Sequence, residues 1–189
     1  MADYLGLLRE LAAFDSPYFA FGSIAEAALL DGGLRRDHGD LDVVIPRGEL
    51  EERLAQLHGL GFAPFTAYYE PRPGLPLVYG STRGDLAVEL SLLDHDAHGR
   101  PYCVLGAGDG PVAVFLPQDS FEWPSTIVAS VPIHTLSPLA LVHIGAAVTT
   151  TLAFGPARPK NIARQARLID AFFPDADPAA LEPRITTIT

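Results

Sequence analysis

At 189 residues the chain is long enough for one domain, or one domain with a small helical extension, around a real core. Its 48% hydrophobic content and mean hydropathy of +0.20 exclude a disordered chain, and no apolar run reaches the roughly 20 residues that span a bilayer as a helix. The single cysteine, Cys103, excludes an internal disulfide framework and a cysteine-based zinc site, while a formal net charge of −10 disfavours a nucleic-acid partner and suits a cationic small molecule.

The first stretch, MADYLGLLRELAAF, lacks a basic leader and predicts an amphipathic helix over 2–14, with Leu5, Leu8, Leu11 and Ala12 on one face. No secretory leader is expected, and the cytoplasm is the expected compartment. The short apolar run Tyr18–Phe21 reads as a strand that stops at Gly22-Ser23, and Ile24–Leu30 reads as a helix. Gly-Ser thus falls where a strand turns into a helix, whose unpaired N–H groups form a natural phosphate cradle. Asp31-Gly32-Gly33 breaks that helix, Arg35–Gly39 forms a polar turn, and DLDVVI reads as a second strand over 40–45. Side chains alternate along a strand, so Asp40 and Asp42 are expected on one face and Leu41, Val43 and Ile45 on the other. Two carboxylates on one face near a phosphate cradle suit magnesium bridging to a nucleotide's phosphates.

Downstream, residues 48–58 predict a helix with Leu50, Leu54 and Leu57 in register, and His58 as a favourable charge at its C-terminus. Strands are expected over 62–70 and 76–81, separated by the Pro-Arg-Pro-Gly turn at 71–74. The segment 84–93 alternates again, placing Leu86, Val88, Leu90 and Leu92 on one face and Asp85, Ala87, Glu89, Ser91 and Leu93 on the other. Glu89 is a mid-strand carboxylate between small neighbours, an odd choice unless a partner or a metal offsets its charge. Asp94 and Asp96 follow as further candidates for acceptor binding or proton transfer. His95 and His98 lie in a short, Gly-terminated segment that reads as a loop rather than a metal site. Residues 101–116 read as a hairpin around the GAGDG turn, and 127–133 as a last strand. Ser137-Pro138 signals a helix start; the apolar helix that follows, 139–152, carries His143 as a packing residue. A second C-terminal helix, 160–173, opens with Lys160, the protein's only lysine, at a helix end where a cation is unfavourable without an anion nearby. Residues 174–189, rich in Pro and Ala, are expected to be a frayed tail.

The ordered set of strand, Gly-Ser, helix, Arg-x-His and Asp-Leu-Asp running into an apolar strand resembles the polymerase-β-like nucleotidyltransferase superfamily. Within it, GLRRDHGDLDVVIPR is most similar to the aminoglycoside and lincosamide nucleotidyltransferases, with Arg36, His38, Asp40 and Asp42 matching their pattern. The resemblance implies an α/β (α+β) fold, a small mixed, mostly antiparallel sheet backed by helices. It also implies a catalytic core over 1–135, C-terminal helices over 136–175 closing a nucleotide cleft, and a tail over 176–189. Asp40, Asp42 and Glu89 would hold two Mg2+ ions. Gly22, Ser23, Arg36, His38 and Lys160 would hold the nucleotide, ATP or another NTP, and Glu89 or Asp94 would be the base. Where many relatives carry Asp after the lysine, this chain has Asn161. The expected activity is transfer of a nucleoside monophosphate to a hydroxyl of a small, cationic antibiotic. Two alternatives stand beside it: a toxin-like or regulatory nucleotidyltransferase acting on tRNA or protein, and a catalytically silent nucleotide-binding module. Oligomeric state is not written in the sequence.

Overall fold

Asp3 opens the first helix by accepting a hydrogen bond from the Gly6 N–H at 2.8 Å, so that α1 runs Tyr4–Leu11. The computed structural model describes residues 2–34, 38–69, 78–105, 112–150 and 158–187, leaving Arg36 and the expected turns at 71–74 and 106–110 outside the described residues. Helix α1 buries Tyr4, Leu7, Leu8 and Leu11, whereas Leu5 is half-buried and Ala12 exposed. The inward stripe is therefore rotated from the expected one, because Tyr4 and Leu7 bury more apolar area than Leu5 and Ala12 offer.

In chain order there follow β1 (Phe19–Phe21), α2 (Gly22–Asp31), β2 (Leu41–Pro46), a 3₁₀ turn (Arg47–Glu49), α3 (Leu50–Gly59), β3 (Thr66–Tyr69), β4 (Val78–Arg83) and β5 (Leu86–His95). Then come β6 (Pro101–Leu105), β7 (Val112–Phe115), β8 (Thr126–Val128), β9 (Val131–Ile133), α4 (Pro138–Thr150), α5 (Pro159–Phe172), a 3₁₀ turn (Pro178–Leu181) and β10 (Arg184–Thr187). The chain divides into two compact units, Met1–Leu93 with Pro124–Thr135, and Asp94–Trp123 with Leu136–Thr189.

In the first unit β1 pairs antiparallel with β2, β2 runs parallel to β5, and β4 pairs antiparallel with both β5 and β3. The parallel pairing of β2 with β5 is made possible by the long crossover through α3 and the β3–β4 pair. Leu41, Val43 and Ile45 of β2 lie in register with Val88, Leu90 and Leu92 of β5, and all six are essentially fully buried. This apolar face is the core, as the period-2 pattern predicts. Helix α3 departs from expectation: Leu57 is buried, Leu50 and Leu54 only partly, and the side chain that goes fully inside is Arg53. Its charge is satisfied there by Glu49, by the Ser16 carbonyl at 2.7 Å and by Gln56 at 3.3 Å, with the guanidinium over the Tyr18 ring. The expected strand over 127–133 is instead a hairpin of β8 and β9, turned at Ala129 and Ser130 with φ of 48° and 66°. Two consecutive positive φ values make the tight turn whose twist suits a hairpin, and the absence of Gly or Asn hid it.

In the second unit β6, β7 and β10 form an antiparallel set, and Ser137 Oγ accepts from the Ala140 N–H at 3.4 Å to cap α4. The C-terminal segment is not a frayed tail. It forms the 3₁₀ turn and then pairs β10 with β7, from Arg184↔Phe115 to Thr187↔Val112. The edge of β7 offers unpaired backbone groups, and the β-branched Ile185, Thr186 and Thr187 suit a strand. Cys103 is completely buried in β6 and burial pushes its thiol up to about 12, so it is no nucleophile.

Candidate active site

The site begins at the junction of β1 and α2. Gly22 has φ +65°, the left-handed region that glycine enters without strain. A Cβ built on it would run into the Asp42 carboxylate oxygen, with Asp42 Cγ only 3.3 Å away. Both facts require glycine, and together they place the Asp42 carboxylate against the backbone at the start of α2. The next residue, Ser23, has its Oγ 2.9 Å from His38 Nδ1, so His38 lies against the helix start. Two of the expected nucleotide-binding residues are thereby brought together.

Register supplies the second half. Asp42 of β2 is the Cα partner of Glu89 on β5 and of Phe21 on β1, while Glu89 pairs across to Gly80 on β4. Partners across a ladder project to the same face, so Asp42 and Glu89 stand side by side on the face opposite the aliphatic core. Asp40 differs from expectation: β2 starts at Leu41, leaving Asp40 just before the strand, where alternation does not fix its direction. Its charge nevertheless reaches Glu89, which is half-buried and has its carboxyl raised above the ordinary value, first by burial and then by Asp40. Tyr4 reports the same field: its phenol is raised by burial against the opposing Ala87 N–H, with Asp40 and Asp42 adding to the rise. Three carboxylates thus concentrate negative charge at one place.

Such a donor set suits a hard cation such as Mg2+, which prefers carboxylate oxygens, rather than zinc, which favours nitrogen and sulfur. Among the described residues no three His, Cys, Asp or Glu side chains are already closed around a point where a metal ion would sit. The chemistry of the donors fits magnesium.

The remaining candidates divide. Asp94 is the penultimate residue of β5 and the first of the second unit, and Lys160 is exposed in the first turn of α5, also in the second unit. Asp96 is committed to its own turn: it accepts from the His98 and Arg100 N–H groups at 2.8 and 2.9 Å and from Arg100 Nε at 2.7 Å. These bonds, the Arg100 side chain foremost, hold its carboxyl down to about 2. Asn161 is bonded to Arg164, which donates to its Oδ1 at 3.1 Å. His143 is half-buried in α4 and burial lowers its pKa, as expected for a packing histidine. Tyr4 was not visible as a site residue in the sequence, since a Tyr on the inner face of an amphipathic helix reads as ordinary core.

No family model matches the sequence. No curated protein matches it either. Solved structures do. The antibiotic-resistance factor ANT(2'')-Ia in solution superimposes with a TM-score of 0.65 at 18% identity, over 93% of this chain and 88% of that one. ANT(2'')-Ia crystallised with adenylyl-2''-tobramycin gives a TM-score of 0.64 at 17% identity, over 92% of both chains. The lincomycin-bound lincosamide antibiotic adenylyltransferase LnuA gives 0.52 at 14% identity, over 80% of this chain and 84% of that one. The chain therefore shares the fold of these antibiotic-modifying enzymes, a mixed and mostly antiparallel sheet with helices.

Proposed function

We propose that this protein is a magnesium-dependent nucleotidyltransferase that moves a nucleoside monophosphate, AMP from ATP, to a hydroxyl of an aminoglycoside- or lincosamide-like antibiotic. The observation that carries the reading is the juxtaposition of Asp42 and Glu89, in register on neighbouring strands, with a helix start that only glycine can make. A shared fold alone does not fix an activity; the carboxylates on that fold are what favour this one.

Asp40, Asp42 and Glu89 would hold two magnesium ions, which when bound supply positive charge to the triphosphate and acidify an acceptor hydroxyl. The chain's own residues do the rest. The Gly22-Ser23 backbone presents N–H groups at the start of α2, where phosphate oxygens are stabilised by the helix terminus. His38 fixes the Ser23 hydroxyl for the same anion. Glu89, with its carboxyl raised by burial and Asp40, is closer to neutral-pH proton exchange than an ordinary glutamate, which suits a general base. For Arg36 and Lys160 as phosphate-holding cations, and for Asp94 as an alternative base, the warrant is the sequence resemblance, and substitution decides.

A cationic acceptor agrees with the net charge of −10. Among the described residues no helix is long and apolar enough to cross a membrane, and we infer a cytoplasmic enzyme, where ATP is available. The test is magnesium-dependent pyrophosphate release from ATP and the other NTPs against a panel of aminoglycosides, lincosamides and bulk tRNA. Stimulation by one antibiotic class, lost in Asp42→Asn, is expected. Stimulation by tRNA alone would replace the acceptor with RNA, and release unaffected by Asp42→Asn would overturn the site.

A further inference from the structure

Tyr4, buried on α1, is in contact with the site, and the proposed chemistry does not use it. It is 3% exposed, and its Oη accepts a hydrogen bond from the Ala87 N–H at 3.2 Å. Ala87 lies one residue before the β2–β5 register opens at Leu41↔Val88, and shares a strand face with Glu89 two residues on. The Tyr4 ring stands edge-on to His38, with centroids 6.4 Å apart and planes at 80°, and His38 in turn meets the Ser23 hydroxyl. One side chain therefore touches both halves of the site, the strand that carries Glu89 and the His38–Ser23 pair.

Buried tyrosines need a hydrogen-bond partner for their hydroxyl. Here that partner is a backbone amide, a fixed point that side-chain rotation cannot remove. The phenol is raised by burial and by the neighbouring carboxylates, so it stays protonated at neutral pH and is no base.

We propose that Tyr4 is a positioning residue of the site. Its ring fixes the His38 imidazole and through it the direction of the Ser23 hydroxyl, while its hydroxyl pins the start of β5 beneath Glu89. The inference rests on reading Ser23 as a phosphate contact, but its geometry is testable without ligand. The test uses the full chain as Tyr4→Phe and Tyr4→Leu, with three readouts: amide exchange at Ala87, the His38 Nδ1 nitrogen resonance, and binding of magnesium with a non-cleavable α,β-methylene ATP analogue. Ala87 exchange should accelerate about five-fold in Tyr4→Phe, the scale of one lost hydrogen bond. The Nδ1 resonance should stay in place in Tyr4→Phe, which keeps the ring, and move in Tyr4→Leu by more than a ring-current change, with the exposed His58 and His98 unmoved in both. Analogue binding should weaken about five-fold in Tyr4→Leu, as for one lost hydrogen bond, and be largely restored in Tyr4→Phe. Unchanged Ala87 exchange in Tyr4→Phe overturns the proposal, as does an unmoved His38 in a folded Tyr4→Leu; should Tyr4→Leu not fold, Ala87 in Tyr4→Phe decides. Failure of the wild type to bind the analogue, with Ala87 and His38 responding as stated, sinks the proposed function and leaves the positioning contact standing.

Discussion

Glu89 and Asp96 lie seven positions apart in the chain, one in the middle of β5 and the other in the turn that follows it. Asp96 is surrounded by donors, two backbone N–H groups and the Arg100 guanidinium, and its carboxyl is held down to about 2. Glu89 is half-buried next to Asp42, and both burial and Asp40 push its carboxyl up. A carboxylate whose charge is met by donors of its own turn is finished as a structural element. One that is buried against other carboxylates is held at a cost, and a cation from outside the chain would relieve it. The contrast separates a turn builder from a candidate metal ligand by electrostatics, where residue type alone does not.

The largest effect expected is on Asp42. Asp42→Asn should reduce transfer by at least about 10³-fold, the scale of losing an electrostatic anchor in an active site, with the unfolding temperature close to wild type. Glu89→Gln should come next, lowering transfer by about 10²–10⁴-fold if Glu89 is the base. Its stability signature has a definite sign. A carboxyl raised above its unfolded value of 4.5 binds more protons folded than unfolded, so its contribution is intact below that pH and lost as pH rises through the folded pKa. Glu89→Gln should therefore match the wild type in thermal unfolding below pH 4.5 and exceed it at neutral pH.

Gly22→Ala tests the backbone that holds Asp42. The positive φ alone should cost about 1–2 kcal/mol of stability by denaturant unfolding, and the displaced Asp42 should lower transfer as well. The smallest effect on activity belongs to Asp96→Asn, which should transfer at close to the wild-type rate. Its carboxyl is depressed from 3.8 to about 2, so the stability it contributes is present above pH 3.8 and lost as pH falls through about 2. The difference in thermal unfolding between Asp96→Asn and wild type should be seen at neutral pH and vanish near pH 2. A large loss of transfer in Asp96→Asn would erase the contrast with Glu89.

What the sequence discloses follows from what is local. The alternation of β2 and β5, the Gly-Ser junction and the mid-strand Glu89 are short-range patterns, and the structure shows them with one departure, Asp40, which falls just before β2. The pairing of Asp42 with Glu89 is a matter of register between distant segments, which no short-range pattern encodes; in the sequence only the family resemblance groups the two residues. The burial of Arg53 is not legible in the sequence, because it depends on Glu49, Ser16 and Gln56 converging from the 3₁₀ turn, the chain before β1 and α3. The hairpin at Ala129-Ser130 carries no glycine, and β10 exists because β7 offers it an edge. Tyr4 shows its second role only once His38 and Ala87 are beside it.

The proposed function depends on Asp40, Asp42 and Glu89 forming a cation site. The most direct measurement is a titration of Mn2+, standing in for Mg2+, into the protein held with the α,β-methylene ATP analogue, followed by electron paramagnetic resonance. Two bound ions per chain are expected in the wild type and fewer in Asp42→Asn and Glu89→Gln. Equal occupancy in wild type and both variants would contradict such a site.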